Sequence, residues 1–237
     1  MTSNPSVDVR LTAGRVMVRA DADEPGVSVA SVRAKLASDS RAVSAAASVS
    51  ITHDGDHVAV RVPEPPGRGR APQVLVEIVV APGTDVTCEA GEAELVCAGR
   101  VGSLTARSSS GSVHADEVAG PLDLRTGRGP VTVHQCLAGG QVAVADATLI
   151  IRAVEGPINI LGRSGDVHVW WLAAPANVST STGNVRVGWA SGRPARLALT
   201  SGTGRVEAGV RDDPGAADVL TVSTISGDIR VTQAQRR

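Results

Sequence analysis

Small and apolar residues recur every eighteen positions through the second half of the chain. Gly111, Gly129, Ala147, Gly165 and Gly183 mark the beat. Two positions after each the chain reads Val113, Val131, Leu149, Val167 and Val185, and four after it Ala115, Val133, Ile151, Val169 and Val187. Neither column contains a polar residue. Seven before the small residue stand Leu104, Leu122, Gly140, Ile158 and Ala176, and five before it Ala106, Leu124, Val142, Ile160 and Val178. Apolar positions separated by single polar ones have the period of a half-buried strand. Each repeat therefore holds two short strands, joined at the small residue by a bend that tolerates positive φ.

A fixed repeat of this length signals stacked units, because one unit cannot bury its apolar face without a neighbour above and below. The pattern predicts an all-β fold: a β-solenoid of the parallel β-helix kind, with coils of eighteen residues. Thr105, Arg107, Asp123 and Arg125 then face water. A further apolar column (Val118, Cys136, Val154, Leu172, Ala190) precedes a small one (Gly120, Ala138, Gly156, Ala174, Gly192), and Pro121, Pro157 and Pro175 follow directly, marking the far corner. Gly91 lies 20 residues before Gly111, and Gly204 and Gly227 continue the series at intervals of 21 and 23. The expectation is a regular solenoid of about eight coils over residues 86–237, continuous with a β-rich, irregular N-terminal cap over 1–85.

Within that cap, Val7 to Leu11 and Arg15 to Arg19 read as strands around Thr12-Ala13-Gly14, and Ser48 to Thr52 and His57 to Val62 read as a hairpin turning at Asp54-Gly55. Gly26 to Ala47 starts with alternation at Val27 and Val29 and continues in an Ala/Ser/Arg stretch that fits helix, strand or loop alike. Pro63 to Pro72 reads as an exposed loop, and Val74 to Val80 as a buried strand.

Several of these segments together carry a family resemblance: Leu11-Thr-Ala-Gly-Arg-Val-Met-Val18, the Asp54-Gly55-Asp56 hairpin, Val76 to Val86, and the Ser-Gly-x-Val-x-Val units at 110–115, 164–169 and 226–231. In order and spacing the chain resembles, over nearly its whole length, the bacterial β-strand-repeat proteins of unknown function labelled "putative adhesin", the Toast-rack-like group, in its actinobacterial form. The resemblance implies a solenoid of stacked β-coils, no established enzyme activity, and, for some members, an envelope-stress or cell-surface setting.

Composition narrows the picture. The chain has no Phe or Tyr and three Trp, so its core is built from Val, Leu, Ile and Ala; each fully buried Val or Leu contributes roughly 1.5–3 kcal/mol. A formal net charge of −1 supplies no field toward nucleic acid or anionic lipid. The Arg107, Arg125, Arg128 and Arg163 stripe has acidic neighbours and no interleaved aromatics, which fits a solvated face better than a nucleic-acid site. No export signal or long apolar run is evident, so the expectation is a cytoplasmic protein without direct membrane insertion. Cys88, Cys97 and Cys136 fall on inward positions and read as small core residues.

Three patterns are candidates for chemistry. His53-Asp54-Gly55-Asp56-His57 has metal-ligand types, but a turn explains it without an ion, and no metal or other cofactor is expected. Polysaccharide cleavage needs paired carboxylates in one cleft, and the outward columns read mainly Thr, Asn, Gln and His; Asp166 and His168 share a face but fit scattered solvated polar residues, so the chain reads as a non-enzyme. The third pattern is Trp170, Trp171 and Trp189, with His134, Arg152, His168 and Arg186 near them. Trp171 and Trp189 are one repeat apart and are expected to stack on adjacent coils, giving aromatics beside arginines of the kind that anchor interfaces. The leading expectation is a noncatalytic scaffold presenting a flat face to an unidentified protein partner. The alternatives are self-assembly through terminal coil edges, with the final coil's edge nearly uncovered, or a polysaccharide-binding or -cleaving β-helix.

Overall fold

A computed structural model describes residues 4–24, 26–63 and 71–236; most of the loop expected at Pro63 to Pro72 lies outside them. The N-terminal part comprises β1 (Ser6–Ala20), β2 (Val27–Ala34), α1 (Ser40–Ala47), β3 (Ser50–Asp54), β4 (His57–Arg61), β5 (Val74–Val80) and β6 (Asp85–Val101). Where two strands were expected around Gly14, one long strand runs through the bend. Gly14 has a φ of 137°, and a Cβ there would meet the Val74 carbonyl oxygen. The Gly26 to Ala47 stretch, whose pattern fits helix, strand or loop, forms β2 and α1, and the first turn of α1 is capped by the Asp39 carboxylate accepting from the amides of Arg41 and Ala42. The hairpin turns one residue later than expected: Asp54 pairs with His57, and the loop is Gly55-Asp56 with φ of 57° at Gly55. Glycine first in a two-residue loop, with no positive φ at Asp56, is the type II′ pattern.

The regular coils follow as strand pairs: β7 (Leu104–Ser110) with β8 (Val113–Val118), β9 (Leu122–Arg128) with β10 (Val131–Cys136), β11 (Gly140–Asp146) with β12 (Leu149–Val154), β13 (Ile158–Ser164) with β14 (Val167–Leu172), and β15 (Ala176–Thr182) with β16 (Val185–Ala190). The remaining strands are β17 (Arg196–Thr203), β18 (Val206–Ala208), β19 (Val219–Ser226) and β20 (Ile229–Ala234). Two parallel ladders run up the stack, one through β7, β9, β11, β13 and β15 and the other through β8, β10, β12, β14 and β16. Their register is the eighteen-residue repeat itself: Leu104 faces Leu122, Val131 faces Leu149, and Val167 faces Val185. The fold is the expected β-solenoid, a parallel sheet winding round an axis.

The inward columns form one continuous hydrophobic core from Val7 to Val231. Thr126 and Thr180 also face inward, and each hydroxyl is satisfied by donating to the carbonyl two residues on, at the corner. The cysteines are free and buried, and burial raises the thiol pKa of all three, to about 12 for Cys88 and about 11 for Cys136. At the near corner, a Cβ on Gly111 would lie 1.9 Å from the Ala93 carbonyl oxygen of the preceding layer, which explains why small residues hold this column.

Stacking order departs from chain order at both ends. β1 lies between β6 and the layer made by β4 and β5, while β19 lies between β15 and β17, and β20 between β16 and β18. The expectation of an uncovered edge on the final coil is therefore corrected: that coil is the next-to-last layer, and β17 and β18 form the outermost one. At the opposite end β2 and β3 pair antiparallel with β5 and β4. No helix among the described residues is long and apolar enough to cross a membrane.

Candidate functional site

The ladder of β8, β10, β12, β14 and β16 carries the candidate residues on its outer face. Eighteen-residue register places Asp116, His134, Arg152, Trp170 and Gly188 in one column, and His114, Thr132, Ile150, His168 and Arg186 in the column beside it. The structure thus brings His134, Arg152, His168, Trp170 and Arg186 onto a common surface, as expected. The three tryptophans, however, have three different environments.

Trp170 is the exposed one, with 56% of its surface open to solvent. Its ring stacks on His168 at a centroid distance of 4.3 Å and an interplanar angle of 21°. The His168 imidazole is held below its ordinary pKa, first by desolvation and then by Arg186. Trp171 is half-buried, and the guanidinium of Arg236 lies 5.3 Å over its ring while also pairing with Glu155 at 2.8 Å. The C-terminal segment therefore covers Trp171.

Trp189 is fully buried, and the expected Trp171–Trp189 stack does not form. In β8, β10 and β14 the inward residues fall at the first, third and sixth positions, leaving two consecutive residues outside before the corner. In β16 Val185, Val187 and Trp189 are buried at every second position, and Gly188 and Ala190 beside the indole are buried as well. The register shifts by one residue between Val169 and Leu172, so Trp189 pairs with Leu172 rather than Trp171. Gly188 permits this shift, because a Cβ there would lie 2.0 Å from the Trp170 carbonyl oxygen. The indole Nε1 donates to the Arg193 carbonyl at 2.9 Å. The sequence signal was present: a glycine stands where the other coils carry Asp116, His134, Arg152 and Trp170, and the small Ala190 leaves room at the corner.

Toward β8 the same face holds a cluster that the columns group only in part: Asp116 and His134 share one, and His114 stands in the next. His114 Nε2 lies 3.2 Å from Asp116 Oδ1, and His134 Nδ1 lies 3.3 Å from the same oxygen. The two imidazoles meet edge to face at 4.8 Å. Asp116 Oδ2 accepts the Gly99 amide at 3.0 Å. The His134 imidazole is held below its ordinary pKa, first by desolvation, then by Arg152 and His114, against the opposing pull of Asp116. His114 and His134 are twenty residues apart and meet diagonally across adjacent layers, so column arithmetic hides the pair.

On the other ladder an open groove crosses the layers, lined by Arg10, Arg107, Arg125 and Arg163 together with Glu89. Arg107 and Arg10 both reach Glu89, Arg125 pairs with Asp123, and Arg163 with Asp146. Three arginines of the stripe, Arg107, Arg125 and Arg163, thus each have a carboxylate partner.

Neither a family model nor a curated protein matches the chain. A solved structure from Clostridium sporogenes ATCC 15579, described as a "putative cell adhesion protein", is similar over 98% of this chain and 96% of its own, at 10% sequence identity and a TM-score of 0.29.

Proposed function

We propose that this protein is a noncatalytic β-solenoid scaffold that presents the outer face of the β8–β16 ladder to a protein partner, in the envelope-stress or cell-surface regulatory setting that the family resemblance implies. The observation that carries the reading is Trp170: a large aromatic more than half exposed, fixed by stacking on His168 and flanked in the ladder by Arg152 and Arg186. A preorganised indole between arginines loses little conformational freedom on association and fits the residue types that dominate interface energetics. The balanced charges of the opposite groove favour neither a polyanion nor nucleic acid as the partner.

Affinity capture from the native organism tests this with three baits: wild type, Trp170→Ser and a double Arg152→Ala/Arg186→Ala variant. The expected result is a protein retained by wild type and lost from both variants at unchanged melting temperature. Equal capture by all three refutes the reading. A second reading, self-association, is favoured by the outermost layer, where Val206 is exposed and Leu197 and Leu199 of β17 are only partly covered. Light scattering across a concentration series decides it, since a monomer at every concentration removes it.

A further inference from the structure

We propose that His114, Asp116 and His134 form a binding site for one Zn²⁺ ion on the outer face of the solenoid. The argument starts from geometry. Zinc held by imidazole nitrogen and carboxylate oxygen at about 2.0–2.2 Å in a tetrahedron sets its ligand atoms about 3.3–3.5 Å apart. The two imidazole nitrogens stand 3.2 and 3.3 Å from Asp116 Oδ1, and the three donor atoms all lie within 4.8 Å of one another. Two of the three edges already match, and closing the third requires only small rotations of half-buried imidazoles.

The donor set selects the metal. Two imidazoles with one carboxylate suit a borderline divalent ion and not Ca²⁺ or Mg²⁺, which take oxygen ligands. Coordination uses the lone pairs on His114 Nε2 and His134 Nδ1, so the protons sit on His114 Nδ1 and His134 Nε2. The carboxylate is oriented from behind, because the Gly99 amide donates to Oδ2 and leaves Oδ1 for the ion. The backbone holds this arrangement firmly: His114 and Asp116 are two residues apart on β8, and His134 sits on the adjacent parallel strand. Three protein ligands leave a fourth position, open on the exposed side, for water or a donor from another molecule. Arg152, in the next layer of the column, adds a repulsion that the site must overcome.

Isothermal titration of tag-free, chelator-treated protein with zinc chloride provides the test, with Co²⁺ absorption as a reporter of coordination. Wild type should bind one equivalent and show the visible d–d bands of tetrahedral Co²⁺. His114→Ala, His134→Ala and Asp116→Asn should each weaken binding at least tenfold while keeping the wild-type circular dichroism spectrum. His53→Ala/His57→Ala should bind as wild type does, and Arg152→Ala should bind more tightly. Wild type that takes up no zinc at millimolar concentration overturns the proposal. So does binding that survives His114→Ala and His134→Ala, or that disappears with His53→Ala/His57→Ala. Partner capture plays no part in these readouts, so the two proposals stand or fall separately.

Discussion

Replacing Trp189 by alanine tests the register shift in β16. The side chain is fully buried against the Leu172 layer, so truncation leaves a large void in a core made of small aliphatic residues. Removing a buried Trp costs about 3–5 kcal/mol, and leaving the Arg193 carbonyl without the indole donor adds about 1 kcal/mol. At roughly 2–4 °C per kcal/mol for a chain of this size, the total of about 4–6 kcal/mol lowers the melting temperature by roughly 8–24 °C. In a stacked protein much of that loss falls on the layers nearest the void, so the far-ultraviolet dichroism melt should also broaden or split. Trp170→Ala, at a half-exposed surface position, should shift the same melt by no more than a few degrees. A Trp189→Ala protein that melts within about 2 °C of wild type would show that the indole lies outside and that β14 and β16 pair without the shift.

Four further outcomes follow from the ladders. Val185→Asp places an unpaired charge in a dry core and should cost on the order of 4 kcal/mol or more by urea denaturation. Asn184→Asp should cost only about 1 kcal/mol, because the amide that donates to Asp166 Oδ1 at 3.2 Å becomes a second carboxylate; equal losses for the two would invert the assigned faces. Gly183→Val, at a φ of 134° with a would-be Cβ 2.2 Å from the Gly165 carbonyl oxygen, should cost on the order of 3 kcal/mol, and an unchanged urea midpoint would remove the close approach. His168 should titrate by NMR below the usual imidazole range and partly recover in Arg186→Ala. Because the unfolded chain binds the proton more readily, this group subtracts stability as pH falls from its unfolded value through the depressed folded one, and contributes nothing above; a midpoint at or above the ordinary value refutes it. Excising Leu122 through Gly139 removes β9 and β10 together and should leave a folded protein one layer shorter, as judged by scattering and dichroism; an unfolded product would contradict independent layers.

The features legible in the sequence share one physical cause: parallel stacking makes neighbours of residues separated by a constant interval. Val167 over Val185, the glycine corners and the buried cysteines all follow from that interval. The less legible features break it. Trp189 turns inward because a single glycine lets one strand keep its alternation, a local backbone choice that an average over coils conceals. His114 and His134 meet along a diagonal, which no column contains. The Gly26–Ala47 stretch lies outside the repeat, where alanine and serine satisfy helix and strand patterns alike, and the Asp39 cap decides it only once the backbone is seen.

The inserted terminal coils separate the order of synthesis from the order of assembly. β17 and β18 leave the ribosome before β19 and β20, yet among the described residues β19 and β20 are the only strands that pair with them. They have no strand template until β19 and β20 slide in beneath them. The distal end therefore closes only once β19 and β20 have been made, and a nascent chain stalled at Asp218 lacks two ordered layers although it misses the residues of one.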